Sequence, residues 1–143
     1  MSQTGYRTFD ATIEKTNHVL NEIEESYGWS KEQRHQSYDA LRAVLHTLRD
    51  RLPVGEAADL AAQLPMLIRG LYYQGWVPAR VPVKMNREEF LLRVGQECPF
   101  EVEGGLPLLV NRVMQALRSF ITDGEWGDIV HTLPKDVASM LAA

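Results

Sequence analysis

The histidines are too widely spaced to form a metal-binding motif on one helix. Such motifs need two ligands about four residues apart on the same face. No two histidines lie within five residues of each other, and they stand at His18, His35, His46 and His131. The spacing of these ligands therefore predicts no metal site and no cofactor.

The single cysteine, Cys98, is a poor candidate for a catalytic nucleophile. A reactive cysteine works as a thiolate and needs a nearby base or cation. Cys98 instead lies between Glu97 and Glu101, whose negative charges raise the pKa of a thiol. One cysteine cannot form an internal disulfide, so the chain fits a reducing compartment and we expect a cytoplasmic protein.

A basic stripe on the second predicted helix could bind an anion. It consists of Arg42, His46 and Arg49, which share one helical face. The alternative is a solvated flank on which Asp39 and Asp50 are local charge partners. The solvated flank is the commoner structure, so we favour it and predict no catalytic residue.

Composition disfavours nucleic acid and membrane as partners. The 143 residues carry 15 Lys and Arg against 19 Asp and Glu, a net charge of −4, without a block of like charges. Affinity for nucleic acid comes mainly from neutralising phosphates, which this balance does not favour. No apolar run approaches the roughly 18 residues that span a bilayer. The N-terminal segment lacks a signal-peptide pattern, so we expect no export.

The apolar spacing is helical almost throughout and predicts about eight helices without strands. In the second helix, apolar residues separated by three or four positions form one stripe: Tyr38, Leu41, Leu45, Leu48 and Leu52. Capping-box pairs precede the second, fifth and seventh helices. These pairs are Ser30 with Gln33, Asn86 with Glu89, and Thr122 with Glu125.

Residues 38–72 read again at 107–141, without gaps and at an offset of 69. Eight positions are identical where average residue usage gives roughly two. The pairs are Val44/Val113, Leu48/Leu117, Arg49/Arg118, Gly55/Gly124, Glu56/Glu125, Asp59/Asp128, Leu64/Leu133 and Pro65/Pro134. The repeat predicts one all-α domain of two similar four-helix halves that cover each other's apolar faces.

The predicted domain covers residues 1–143, with halves at 8–75 and 86–141 and a linker at 76–85. In each half, an arginine on the long helix is followed ten residues later by an aspartate on the next short helix. We expect salt bridges that fix the angle between these helices, with a symmetric pair of ligand sites as the alternative. The expected pairs are Arg49 with Asp59 or Glu56, and Arg118 with Asp128 or Glu125.

An aromatic segment begins at the last residue of the first copy of the repeat, and its residues beyond Tyr72 have no counterpart in the repeated stretch. It comprises Tyr72, Tyr73, Trp76 and Val77. In one interpretation the linker folds back and Trp76 fills the seam between the halves as a core residue. In the other, the segment is an exposed patch of the kind that anchors protein interfaces.

Several motifs together resemble an uncharacterised bacterial family catalogued as domain of unknown function 2267. The motifs are the stretch Ala40 to Pro53, then Glu56-Ala57, Gln63-Leu64-Pro65, Arg69-Gly70-Leu71-Tyr72-Tyr73, Gly75-Trp76, Glu89-Phe90, Gly124-Glu125 and Leu133-Pro134. The resemblance covers nearly the whole chain. It implies an all-helical protein of two similar halves, and it carries over no catalytic or cofactor-binding residue.

These observations favour a non-catalytic helical binding module that acts by protein–protein interaction or self-association. The alternative is a small-molecule-binding protein or an enzyme that uses a groove between the two halves. An exposed apolar patch would support the first function. A pocket with convergent polar groups and perturbed acids or bases would support the second.

Overall fold

A computed structural model describes residues 4–142 of the chain. Within that range the protein has eight α-helices and no strand, which confirms the predicted all-α class and the predicted number of helices. The helices are α1 Arg7–Tyr27, α2 Arg34–Arg51, α3 Val54–Gln63, α4 Met66–Tyr73, α5 Arg87–Glu97, α6 Gly105–Leu117, α7 Asp123–Thr132 and α8 Lys135–Ala142. Short 3-10 turns precede α2, follow α6 and lie between α4 and α5. No helix in the described range is long and apolar enough to cross a membrane.

Helix α2 is the centre of the fold and packs against α1, α4, α5 and α6. Its predicted apolar stripe is buried from Leu41 to Leu52. Tyr38, at the start of the stripe, is 43% exposed and was wrongly placed in the core. It lies in the first turns of α2, on an open groove between α1, α2 and α4.

Two of the three predicted capping boxes are present. Ser30 and Gln33 begin the turn that leads into α2, and Asn86 and Glu89 begin α5. The third box, before α7, is only half formed. The Glu125 amide donates to Thr122 Oγ1 at 3.2 Å, but the Thr122 amide donates to Gln63 Oε1 at 2.8 Å. Gln63 is at the end of α3, so the packing of α3 against α7 replaces the local bond.

One hydrophobic core includes side chains from all eight helices. Its packing crosses the predicted halves: α1 contacts α6, and α5 contacts α2. Each long helix is therefore covered by the first helix of the other half. The segment 76–85 is also tied to the body, because the Val83 amide donates to the Asp50 carbonyl at 2.7 Å. The limits predicted for the domain, its two halves and the linker therefore stay a prediction.

Candidate functional site

The aromatic segment predicted as an interaction surface is mostly covered. Tyr72 is fully buried, and its hydroxyl donates to the Ala57 carbonyl at 2.9 Å. Tyr73 and Trp76 are partly buried and pack against each other with ring centroids 5.2 Å apart. Val77 alone of the four is exposed. The prediction is wrong for Tyr72, because the short helix α4 turns this side chain into the core, and Trp76 is neither full core nor open surface.

Arg49 closes the end of α4. It is buried, and its Nη1 donates to the carbonyls of Tyr72 and Gln74 at 3.0 and 2.8 Å. Its Nε donates to Asp50 Oδ1 at 2.9 Å. The last carbonyls of a helix have no partner within the helix, and a buried cation is a strong donor to them. Arg49 therefore joins α2 to α4 instead of α3.

Arg118 in the second half also binds locally. Its Nη1 donates to the Ile121 carbonyl at 2.7 Å, and its Nη2 to Asp123 Oδ1 at 2.6 Å. The guanidinium lies over the Trp126 ring, 4.8 Å from its centroid. The prediction that these two arginines form salt bridges with Glu56, Asp59, Glu125 or Asp128 is therefore wrong. Those acids meet each other where α3 packs on α7.

The basic stripe on α2 is not a solvated flank, which corrects that prediction. His46 is buried, and its Nε2 lies 2.7 Å from the Leu71 carbonyl. Burial lowers the pKa of His46 below its usual value, so the neutral ring is favoured at neutral pH. Arg42 is 3.5 Å from Glu97. This face of α2 holds α4 and α5 and leaves no open anion site.

Cys98 is buried and has a raised thiol pKa, as predicted. Burial is the largest cause, followed by the charges of Asp39 and Glu97, and together they raise the pKa of Cys98 to about 12. A thiol in this environment is a poor nucleophile at neutral pH.

Four carboxylates meet where α3 and α7 pack together. We call this group the acidic junction; its members are Glu56, Asp59, Glu125 and Asp128. One carboxylate oxygen from each of Glu56, Glu125 and Asp128 lies within 4.8 Å of the others. Burial, followed by a hydrogen bond with Glu56 and the negative charges of Glu56, Asp59 and Asp128, raises the pKa of Glu125 to about 8. The four were singled out from the sequence as repeated acids, but as arginine partners.

A second candidate site is a groove between α1, α2 and α4, with a volume of about 350 Å³. We call it the apolar groove, because none of its lining residues is charged. Its principal side chains are Leu20, Tyr38, Leu41, Leu67, Ile68 and Leu71. The side chain of Leu67 is 50% exposed at the rim. Its backbone amide donates a hydrogen bond to Thr12 Oγ1 at 2.9 Å. This bond joins α4 to α1 and fixes one side of the groove.

The composition of α4 is the feature of the sequence that bears on the apolar groove. Six of the eight residues of α4 are large and apolar or aromatic, so they surround the helix. A helix that is apolar on all sides exposes apolar surface unless other elements cover it completely. Here Met66 and Leu67 remain exposed. This composition is the signal that could have indicated the groove.

Residues 16–140 match a family model described as an uncharacterized conserved protein (DUF2267). The match runs from within α1 to within α8 and includes both the apolar groove and the acidic junction. It confirms the resemblance drawn from the sequence motifs. No curated protein matches the chain.

Proposed function

The chain belongs to the DUF2267 family of uncharacterized conserved proteins, and we propose that it is a non-catalytic helical binding module of two repeated halves that acts by protein–protein interaction or self-association. The apolar groove carries this proposal. It is an open, uncharged concavity with a half-exposed leucine and a partly exposed tyrosine at its rim. Such surfaces are the usual anchors of protein interfaces.

The helix boundaries support the repeat. α3 and α7 begin 69 residues apart and end 69 residues apart, and so do α4 and α8. The residues that end α3 and α7 have similar backbone angles. Leu64 has φ −80° and ψ 147°, and Leu133 has φ −79° and ψ 151°. A duplicated helical unit accounts for both matches.

The second half has a groove at the corresponding place, but it is not apolar. Its lining includes the 69-residue counterparts of Tyr38, Gly70 and Leu71, which are Pro107, Ser139 and Met140. Asn111 and Arg87 add polar groups to this groove. The two grooves have therefore diverged in chemistry.

The residue that corresponds to Leu67 is Asp136. Its carboxylate accepts a hydrogen bond from the Arg87 amide at 3.2 Å, and its carbonyl accepts one from Arg87 Nη1 at 3.2 Å. Asp136 is thus bonded to Arg87, a residue that lines the second groove, while Leu67 keeps half of its surface open in the first. This difference supports the first groove as the interaction surface.

The chemistry of the apolar groove itself suits a protein-binding surface better than a small-molecule site or an enzyme. That alternative was expected between the two halves, whereas the apolar groove lies within the first half. No charged group lines it, so it offers no general acid or base. Fully burying a leucine side chain stabilises a protein or complex by about 1.5–3 kcal/mol. Because Leu67 is 50% exposed, a partner that covers it gains about half of that free energy.

The test is to give the first groove the residue that the second one carries, with the variant Leu67→Asp. Leu92→Asp is the matched control, because Leu92 is 63% exposed on α5 and does not line the groove. Sedimentation velocity measures self-association, and quantitative affinity capture measures binding to other proteins. We expect Leu67→Asp to weaken association at least tenfold without lowering the melting temperature, and Leu92→Asp to behave as wild type.

A second pair of variants tests the groove by filling it. Gly70 lines the groove, and a Cβ added there meets no atom within 4 Å, so the side chain of Gly70→Leu begins in open space, and the melting temperature of the variant checks that it folds. Ser139→Leu is the control at the corresponding position of the second half. We expect association to fall in Gly70→Leu alone. If Leu67→Asp and Gly70→Leu associate as strongly as wild type, the apolar groove is not the interaction surface.

A further inference from the structure

The acidic junction contains two glutamates that occupy the same position in their helices. Glu56 and Glu125 are each the third residue, in α3 and in α7. At this position a glutamate commonly accepts a hydrogen bond from the backbone N–H of the residue that caps the helix. The two glutamates also correspond at the 69-residue offset.

Neither glutamate can make that bond here. α3 is preceded by Pro53, which has no N–H to donate. α7 is preceded by Thr122, whose N–H is already bound to Gln63 Oε1 at 2.8 Å. Two different local features therefore release both side chains from their usual partners.

The released carboxylates of Glu56 and Glu125 lie within hydrogen-bonding reach of each other, so each faces another acid instead of an N–H group or a cation. Glu125 is 7% exposed, and its Oε2 accepts no hydrogen bond. Glu56 Oε1 is buried and accepts none either. Two carboxylates held this close are both ionised only when a cation lies near them; otherwise they share a proton. The arrangement points to a missing positive charge.

We propose that the acidic junction binds one divalent hard cation of the class Mg²⁺, Mn²⁺ or Ca²⁺, with Glu56, Glu125 and Asp128 as ligands. Ligand oxygens lie about 2.0–2.6 Å from such ions, so two of them are at most about 5 Å apart. The three oxygens here lie within 4.8 Å of one another. The donors are all carboxylate oxygens, which suit these ions better than zinc or copper.

The cation would join the two halves of the fold. Glu56 comes from α3, while Glu125 and Asp128 come from α7. Asp59 adds a further negative charge close to Glu125. Asp59 and Asp128 are exposed, which leaves one side of the site open to water molecules that complete the coordination. Binding therefore stabilises the contact between α3 and α7.

The first experiment measures binding to the whole chain after treatment with EDTA. Mg²⁺, Mn²⁺ and Ca²⁺ are titrated separately by calorimetry, and free Mn²⁺ is counted by electron paramagnetic resonance. The variants are Glu56→Gln and Glu125→Gln, which keep the side-chain shape. Glu88→Gln is the control, because Glu88 is an exposed acid in the first turn of α5. Circular dichroism checks that every variant is folded.

We expect one ion per chain for at least one of the three metals, at least tenfold weaker binding in Glu56→Gln and Glu125→Gln, and unchanged binding in Glu88→Gln. Mn²⁺ should broaden the amide NMR signals of the first turns of α3 and α7. The proposal is overturned if no metal binds saturably below about 1 mM. It is also overturned if binding survives in both glutamine variants or if the broadening maps elsewhere.

Discussion

Glu24 provides a quantitative test of the packing between α1 and the start of α2. Its carboxylate is buried and accepts hydrogen bonds from Arg34 Nε at 2.9 Å, Ser37 Oγ at 2.6 Å and Lys31 Nζ at 3.1 Å. Burial alone would raise the pKa of Glu24. The hydrogen bonds outweigh burial and lower the pKa from 4.5 to about 2. The folded protein therefore prefers the ionised form.

The lowered pKa sets both the size and the direction of the pH effect. Each tenfold difference in proton affinity between the folded and unfolded states is about 1.4 kcal/mol, so Glu24 contributes up to about 3 kcal/mol of stability. Because the folded pKa lies below the unfolded one, this contribution is fully present above pH 4.5. It is lost as the pH falls towards 2.

The perturbation is Glu24→Gln, with Glu25→Gln as the control at an exposed position of the same helix. Urea unfolding followed by circular dichroism gives the free energy of unfolding from pH 7 to pH 2. We expect Glu24→Gln to lose up to about 3 kcal/mol at pH 7. The difference from wild type should shrink below pH 4.5. Equal stability at pH 7, or a difference that does not depend on pH, would refute the reasoning.

Three further substitutions have expected effects on the free energy of unfolding in urea. Arg49→Ala should cost about 2–4 kcal/mol, because it leaves the buried carbonyl of Tyr72 without its charged donor; a loss under 1 kcal/mol would contradict this role. Tyr72→Phe should cost about 1 kcal/mol through the lost bond to the Ala57 carbonyl, and an unchanged midpoint would show that the bond adds nothing. Gly70→Ala should stabilise by about 0.5–1 kcal/mol, since the added Cβ meets open space within α4, and destabilisation would disprove that geometry.

The helices could be predicted from sequence because their signals are local. Apolar residues three or four positions apart identify the buried face of α2, and the Asn86–Glu89 pair marks the beginning of α5. Both signals depend on residues that lie within one or two helical turns of each other. The same kind of local motif carries the resemblance to the family, and that resemblance implies an all-helical protein.

The sites could not be predicted because they depend on how the helices pack. The expected bond between Glu125 and the amide of Thr122 is displaced by Gln63, which is 59 residues away in sequence. A metal-binding motif on one helix is visible in sequence from its close spacing, whereas Glu56 and Glu125 lie 69 residues apart and meet only through the contact of α3 with α7. Tyr38 looked like a core residue because its helical face is apolar, but it lines an open groove and stays 43% exposed.

The most direct test of the proposed function is site-specific photo-crosslinking at the rim of the apolar groove. A photoreactive amino acid replaces Leu67 in one variant and Leu92 in the other, and both are irradiated in native extract. The account predicts a discrete covalent adduct, to a second copy or to another protein, from position 67 and none from position 92. Equal adducts from both positions, or an adduct from position 92 alone, would contradict it.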